Sequence, residues 1–351
     1  MNVKTERTMM AAVLYGKEEL RVEPVEIPTL GASDVLVKVN VALTCGTDLK
    51  VFRRGYHARM IVPPAVLGHE LAGDIVEVGS QVKNFQVGQR VVAANSAPCE
   101  NCYFCARRQE NLCEDLLFNN GAYAEYIRIP GPIVRRNMYE IPPHVGYQDA
   151  ALIEPLACVM RGLDETHLRP GDTVVVIGLG PIGLMFVRLA KTLDARVIAI
   201  GRRKTQLDRA ASMGADELIS TESVANVVEA VTRLTYRGRG ADAAIEAVGQ
   251  PETWQWAIRM VRSGGTVNLF GGCPTGSEVS LDTALLHYSE ITLKSSFHHT
   301  PSHIRRALDV ISQGQIRAAD FVTGEAPLSD ILGVLRHMMN RNGHLKTAIV
   351  P

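Results

Sequence analysis

The 351-residue sequence has no excess of charge of either sign: Lys plus Arg and Asp plus Glu number 37 each. Without a summed positive field, nothing attracts nucleic acid or an anionic membrane over long range, so small molecules are the expected partners. The opening, Met1 to Met10, carries Lys4, Glu6 and Arg7 and lacks the apolar stretch of a secretory signal. A run fit to span a bilayer is also missing. The most apolar segment, Thr173 to Ala190, is broken by Gly178, Gly180, Pro181 and Gly183 and contains Arg188. A cytoplasmic protein is expected. Internal repeats and low-complexity segments are absent, and at about 100–200 residues per domain the length predicts two globular units.

Cysteine is sparse except in one place. Of the seven, Cys99, Cys102, Cys105 and Cys113 crowd into one short stretch, and in a cytosolic chain such clustering points to metal before disulfide. Two x-x spacings followed by a seven-residue gap let four thiolates close a tetrahedron with no open position, the mark of a structural zinc in a lobe spanning about residues 95–115. An iron–sulfur run of the bacterial ferredoxin kind has a shorter last gap and a proline after it; here Glu114 follows.

From Ala11 to Val92 the chain reads as short alternating runs punctuated by Gly and Pro, such as Asp34 to Val41 and Gly73 to Gly79, which predicts an antiparallel β-barrel. After Pro170 the texture becomes strand, Gly-rich turn and helix: strand Thr173 to Ile177, helix Pro181 to Leu193, strand Arg196 to Ile200, helix Gln206 to Met213. Strands at Ala243 to Glu246 and Thr266 to Phe270, with a helix Trp254 to Val261 between them, continue the alternation, which implies a parallel sheet. The tail adds a helix, His303 to Ser312, and a strand, Lys346 to Val350, expected to return to the first domain.

Gly178-Leu-Gly180-Pro181-Ile182-Gly183 lies between that apolar strand and helix, the setting a dinucleotide fingerprint requires. Its glycines suit a tight turn, close approach of a pyrophosphate, and close helix–strand packing, while the helix N-terminus offers free N–H groups. About twenty residues on, where an NAD-preferring site places an acid, stands Gly201, followed by Arg202, Arg203 and Lys204. Guanidinium suits a 2′-phosphate, so NADP is expected over NAD.

Three further residues suggest a catalytic metal: Cys45 in Cys45-Gly-Thr-Asp, His69 in Gly68-His69-Glu70, and Glu154, an acid in an apolar stretch where a lone carboxylate is costly. Gly68-His69-Glu70-x-x-Gly73, with Gly79 and Val82 beyond, resembles the signature of zinc-containing medium-chain alcohol dehydrogenases, and Cys45-Gly-Thr-Asp with Glu154-Pro-Leu resembles their sorbitol dehydrogenase branch, over nearly the whole chain. The resemblance implies an α/β protein: a GroES-like β-barrel catalytic domain, residues 1–157 and 296–351, and a Rossmann doubly wound parallel-sheet cofactor domain, residues 158–295. It implies a catalytic zinc on Cys45 and His69 with an acidic third ligand, Glu70 or Glu154, in addition to the structural one. The open coordination position makes an alcohol acidic enough to give up hydride to nicotinamide. Asp48 would steady His69, Thr47 would pass the alcohol proton outward, and Lys50, standing where many relatives have His, would end that relay. Phe297-His298-His299 replaces the Phe-Arg-Tyr of many polyol dehydrogenases and argues against carrying sorbitol itself over as substrate. Relatives are dimers or tetramers, so a homo-oligomer is expected. The expected reaction is hydride transfer between a secondary alcohol, a polyol or diol, and NADP or NAD. Two alternatives stand beside it: amino-alcohol oxidation of the threonine dehydrogenase kind, whose members typically show Asp-Pro where Glu154-Pro155 stands, and a cofactor-binding protein without turnover.

Overall fold

The computed structural model describes residues 7–57, 59–340 and 344–351. The chain divides into two compact units, one running up to Ala157 and resuming at His299–Pro351, the other formed by Cys158–His298.

In the first unit the strands lie in the order Met138–Glu140, Arg90–Ala93, Glu70–Val78, Val35–Leu43, Lys346–Val350, Val322–Pro327, with Tyr126–Ile129 also pairing with Val35–Leu43. A three-stranded sheet of Glu19–Glu26, Thr8–Gly16 and Ala65–Val66 completes the barrel wall. Leu14, Val37, Ile75, Val91, Ile129 and Ile349, drawn from both sheets, share one buried core, and each such side chain taken from water contributes roughly 1.5–3 kcal/mol. Most pairs are antiparallel, as the alternation predicts. Lys346–Val350 and Val322–Pro327 run parallel, so the sheet is mixed.

One register places the chemistry. Leu43 pairs with Glu70 on one side and with Ala348 on the other. The segments just past these pairings, carrying Cys45, His69 and Lys346, therefore meet at one end of the sheet.

The second unit is a six-stranded parallel sheet in the order Glu217–Ser220, Arg196–Gly201, Thr173–Ile177, Ala241–Glu246, Val261–Leu269, Thr292–Ser295. Successive strands build outward to both sides of Thr173–Ile177, so the strand order reverses between it and Ala241–Glu246. That is the switch point at which open α/β sheets bind ligands. Sequence boundaries hold closely for Thr173–Ile177 and Lys346–Val350 and shift elsewhere. The helix expected from Trp254 begins at Pro251, which occupies the first turn behind an extended Gln250. The strand expected from Thr266 begins at Val261 and carries a register irregularity beside Gly264 and Gly265. Glu217–Ser220 and Thr292–Ser295 leave little periodic signal because each is only four residues long. Val227–Leu234, with Val227, Val228, Val231 and Leu234 on one face, does carry the helical period and is missing from the elements expected above. Among the described residues no helix is long and apolar enough to cross a membrane.

Candidate active site

Cys45 caps the helix Gly46–Arg54 in extended geometry, its sulfur facing the Thr47 amide at 3.5 Å. Asp48, three residues on, returns to accept the Cys45 amide at 3.1 Å, a capping box that fixes where the thiol points. The same carboxylate lies 3.0 Å from His69 Nδ1 and accepts the Tyr123 hydroxyl at 2.6 Å. Because a carboxylate only accepts, His69 carries its proton on Nδ1, and its other nitrogen is the one left for a ligand.

Glu70, fully buried, receives the ammonium of Lys346 at 2.7 and 2.5 Å on its two oxygens, and Lys346 also donates to the Thr44 carbonyl at 3.1 Å. Ligand atoms of Cys45, His69 and Glu70 all lie within 4.8 Å of one another.

The electrostatics of this pocket are those of a cation site. Burial opposes the His69 imidazolium, yet Asp48 and Cys45 hold its pKa well above the usual value. Burial lifts the Asp48 carboxyl, but His69, Tyr123 and the Cys45 amide reverse the effect and leave it below the ordinary range. Burial pushes Glu70 up to about 7 although Lys346 pulls it down. A half-buried thiol converging with a buried imidazole and a buried carboxylate matches the mixed S, N and O ligands of a catalytic zinc.

Glu154, in the first turn of Ile153–Asp164, is also buried, with an oxygen 4.0 Å from His299 Nε2. That nitrogen is 3.3 Å from Asn95 Oδ1. Glu154 stands outside the Cys45, His69, Glu70 triple but near enough to raise the Glu70 pKa. Thr47 is half-buried in the first turn after Cys45, while Lys50, one turn later, is exposed.

Two residues of this site escaped sequence reasoning. Tyr123 looks like any barrel aromatic until its hydroxyl meets Asp48. Lys346 had a signal: it is the one charged residue in the apolar closing strand Lys346–Val350.

The four lobe cysteines converge, their sulfurs within 4.8 Å of one another, and none forms a disulfide. Backbone N–H groups of Glu114 and Cys105 draw Cys102 down to about 6, whereas burial and neighbouring thiols drive Cys105 up to about 12. Four crowded thiols cannot all ionise without a cation among them, which fits a closed zinc site.

In the second unit Gly180 is the N-cap of the helix Pro181–Thr192 and has no side-chain cap; a Cβ there would meet nothing within 4 Å. The turn therefore leaves open space beside free helix N–H groups. At Gly183 a Cβ would fall 1.7 Å from the Gly178 oxygen, so only glycine lets the helix pack there. Pro181 and Ile182 are half-buried on the first helical turn. Gly201 ends the neighbouring strand, and Arg203, in extended geometry, is the N-cap residue of the next helix. Arg202 is exposed, its guanidinium 3.8 Å from Glu222. Lys204 is turned to Asp208 at 2.8 Å.

Similarity to known proteins shows the family. Residues 31–143 match the alcohol dehydrogenase GroES-like domain and residues 181–313 the zinc-binding dehydrogenase domain. The chain is 31% identical to the sorbitol dehydrogenase of Bacillus subtilis over 98% of both sequences. A zinc-binding dehydrogenase of Sinorhizobium meliloti, solved bound to NADP, superposes with a TM-score of 0.90 at 31% identity, over 98% of this chain and 100% of that one. The alcohol dehydrogenase TADH from Thermus sp. ATN1 gives 0.87 at 32%, over 97% and 99%. The chain thus belongs to the zinc-containing medium-chain alcohol dehydrogenases, in their sorbitol dehydrogenase-like branch, and is a zinc-dependent oxidoreductase that moves hydride between an alcohol and a nicotinamide cofactor.

Proposed function

We propose that this enzyme oxidises a secondary alcohol of the polyol or diol class, or reduces the matching ketone, with NADP preferred over NAD, at a zinc held by Cys45, His69 and Glu70. The observation that carries this reading is the convergence of the half-buried Cys45 with the buried His69 and Glu70, their ligand atoms within 4.8 Å of one another. When bound, the zinc supplies Lewis acidity to the alcohol oxygen. Asp48 holds His69 in the ligating tautomer, and Tyr123 locks the second Asp48 oxygen. Lys346 balances Glu70 so that the pocket does not carry an uncompensated carboxylate. When bound, the nicotinamide would supply the hydride acceptor that turns the alcohol into a ketone; Thr47 would take the hydroxyl proton while passing its own outward, by way of Lys50 or water, so that one proton is released for each hydride transferred. Glu154, set beside His299, is assigned to orienting substrate or water.

Arg202 and Arg203 follow the strand end where the adenosine ribose would lie, which supports the NADP preference. The crowded Cys99, Cys102, Cys105 and Cys113 support a second, structural zinc. The exposed edge strand Thr292–Ser295 supports a homodimer or tetramer paired through that edge. A panel of polyols, diols, amino alcohols and sugar phosphates, assayed with both cofactors on zinc-loaded protein, tests the reading. Turnover confined to amino alcohols would move the enzyme to the threonine dehydrogenase kind, and NAD preferred by kcat/KM would overturn the cofactor assignment.

A further inference from the structure

The second unit contains a buried acid that the reaction as described does not use. Glu246 is the last residue of Ala241–Glu246, pairs in register with Ile177 and Leu269, and is fully buried. Among the described residues no cation pairs with it. Left alone, such a carboxylate is strongly unfavourable. Its oxygens are satisfied by donors from its own vicinity. Oε1 accepts the Val248 amide at 2.8 Å, the Gly249 amide at 2.9 Å and the Thr253 hydroxyl at 2.8 Å, and Oε2 is 3.2 Å from the Gly249 amide. Its backbone carbonyl takes the amides of Phe270 and Gly271 at 3.0 and 2.8 Å. One residue thus ties together the turns that follow two adjacent strands.

These turns stand at the switch point. The turn after Ala241–Glu246 lies directly beside the Gly178 turn, because Ile177 pairs with Glu246 and Ala247 donates to the Ile177 carbonyl at 2.8 Å. A Cβ on Gly178 would fall 2.5 Å from Val248 Cγ2, so Val248 packs directly over the first fingerprint glycine while staying 44% exposed. With the adenosine ribose at the end of Arg196–Gly201 and the pyrophosphate at the Gly178 turn, a dinucleotide crossing the crevice brings its other half to this side of the sheet.

We propose that Glu246 is a positioning residue for the nicotinamide half of the cofactor: its carboxylate moulds the Ala247–Gly249 turn and holds Val248 in place as the apolar wall against which that half lies. A carboxylate is suited to the task because one oxygen gathers three donors at once, which no apolar side chain does. The inference rests on reading the Gly178 turn as the dinucleotide site.

The test uses the full enzyme and its own tryptophans. Trp254 and Trp256 are the only two, and energy transfer from them to bound NADPH or NADH reports affinity. Adenosine 2′,5′-bisphosphate, a competitor carrying only the adenine half, is measured by displacement. E246A is expected to raise the NADPH and NADH Kd about tenfold or more while leaving the bisphosphate Kd within about twofold. E246Q, whose amide oxygen keeps the three donors of Oε1, is expected to restore most of the affinity. T253V removes one donor without stranding a backbone group and is expected to weaken NADPH about two- to threefold, which keeps the test alive should E246A not fold. Unchanged NADPH binding in folded E246A or T253V would overturn the inference, as would equal weakening of NADPH and the bisphosphate. Wild-type protein that binds neither NADPH nor NADH would instead sink the underlying cofactor reading.

Discussion

The Lys346 ammonium lies 2.7 and 2.5 Å from the two oxygens of Glu70, although 276 positions separate them. Both are buried. Burial works against the Lys346 charge, and Glu70 and Cys45 outweigh it, so the lysine stays protonated. The closing strand thus delivers a cation to the acid beside Cys45 and His69.

Removing that cation leaves a buried carboxylate unpaired, a change that typically costs about 3–5 kcal/mol. K346M is therefore expected to destabilise metal-free protein by about 3 kcal/mol in urea denaturation, and K346R by clearly less. A K346M loss below about 0.5 kcal/mol would show that the pair contributes nothing.

Zinc content separates the two metal sites. Wild-type protein should hold about two zinc ions per chain. C45S or H69A should drop one and lower kcat/KM at least about 10³-fold. C105S should also drop one, but its main effect should be a lower Tm. Unaltered metal content in C45S and H69A would remove the catalytic site as drawn.

The Tyr123 hydroxyl donates to Asp48 at 2.6 Å and lies 3.4 Å from the Leu43 carbonyl. Y123F loses a hydrogen bond to a charged group, worth about 1.5–3 kcal/mol. By loosening the Asp48 hold on His69 it should also weaken zinc about tenfold or more in chelator competition. A zinc affinity equal to wild type would confine Tyr123 to packing.

For the cofactor, an R202A/R203A double variant should lose about ten- to a hundredfold in kcat/KM with NADP, the worth of a charge-assisted contact. With NAD the change should stay within about threefold. Equal losses with both cofactors would mean that the arginines do not read the 2′-phosphate.

Glu246 carries a pH signature. Burial raises its carboxyl above the ordinary value, with the Thr253, Gly249 and Val248 donors opposing. A raised folded-state pKa means the folded protein binds this proton more readily than the unfolded chain. Its contribution to stability is therefore greatest below the unfolded value and is lost as pH rises through the raised one. Between about pH 4.5 and that raised pKa, wild type should lose stability relative to E246Q. Parallel stability curves for the two proteins would exclude the shift.

Much of the site was legible because its signals are local. The spacing of Cys99 to Cys113 predicts a cluster of four thiols, which the structure brings within 4.8 Å of one another, and Gly178 to Gly183 stands as expected between a strand and a helix. Cys45 and His69 are legible as a pair only because each sits in a recognisable run. Glu70 and Glu154 could not be ranked from their neighbours in sequence, since both are acids in apolar surroundings.

Sequence alone determined the α/β character, the parallel sheet after Pro170 and the chemical types of ligand, because period, glycine placement and side-chain chemistry are properties of short stretches. Tertiary structure decided the rest. Pairing Leu43 with both Glu70 and Ala348 put Lys346 on Glu70, closure of the barrel put Tyr123 on Asp48, and the Ile177 to Glu246 register put a buried acid beside the Gly178 turn. Contacts between residues far apart in the chain depend on strand register, and no local pattern encodes which strands will pair.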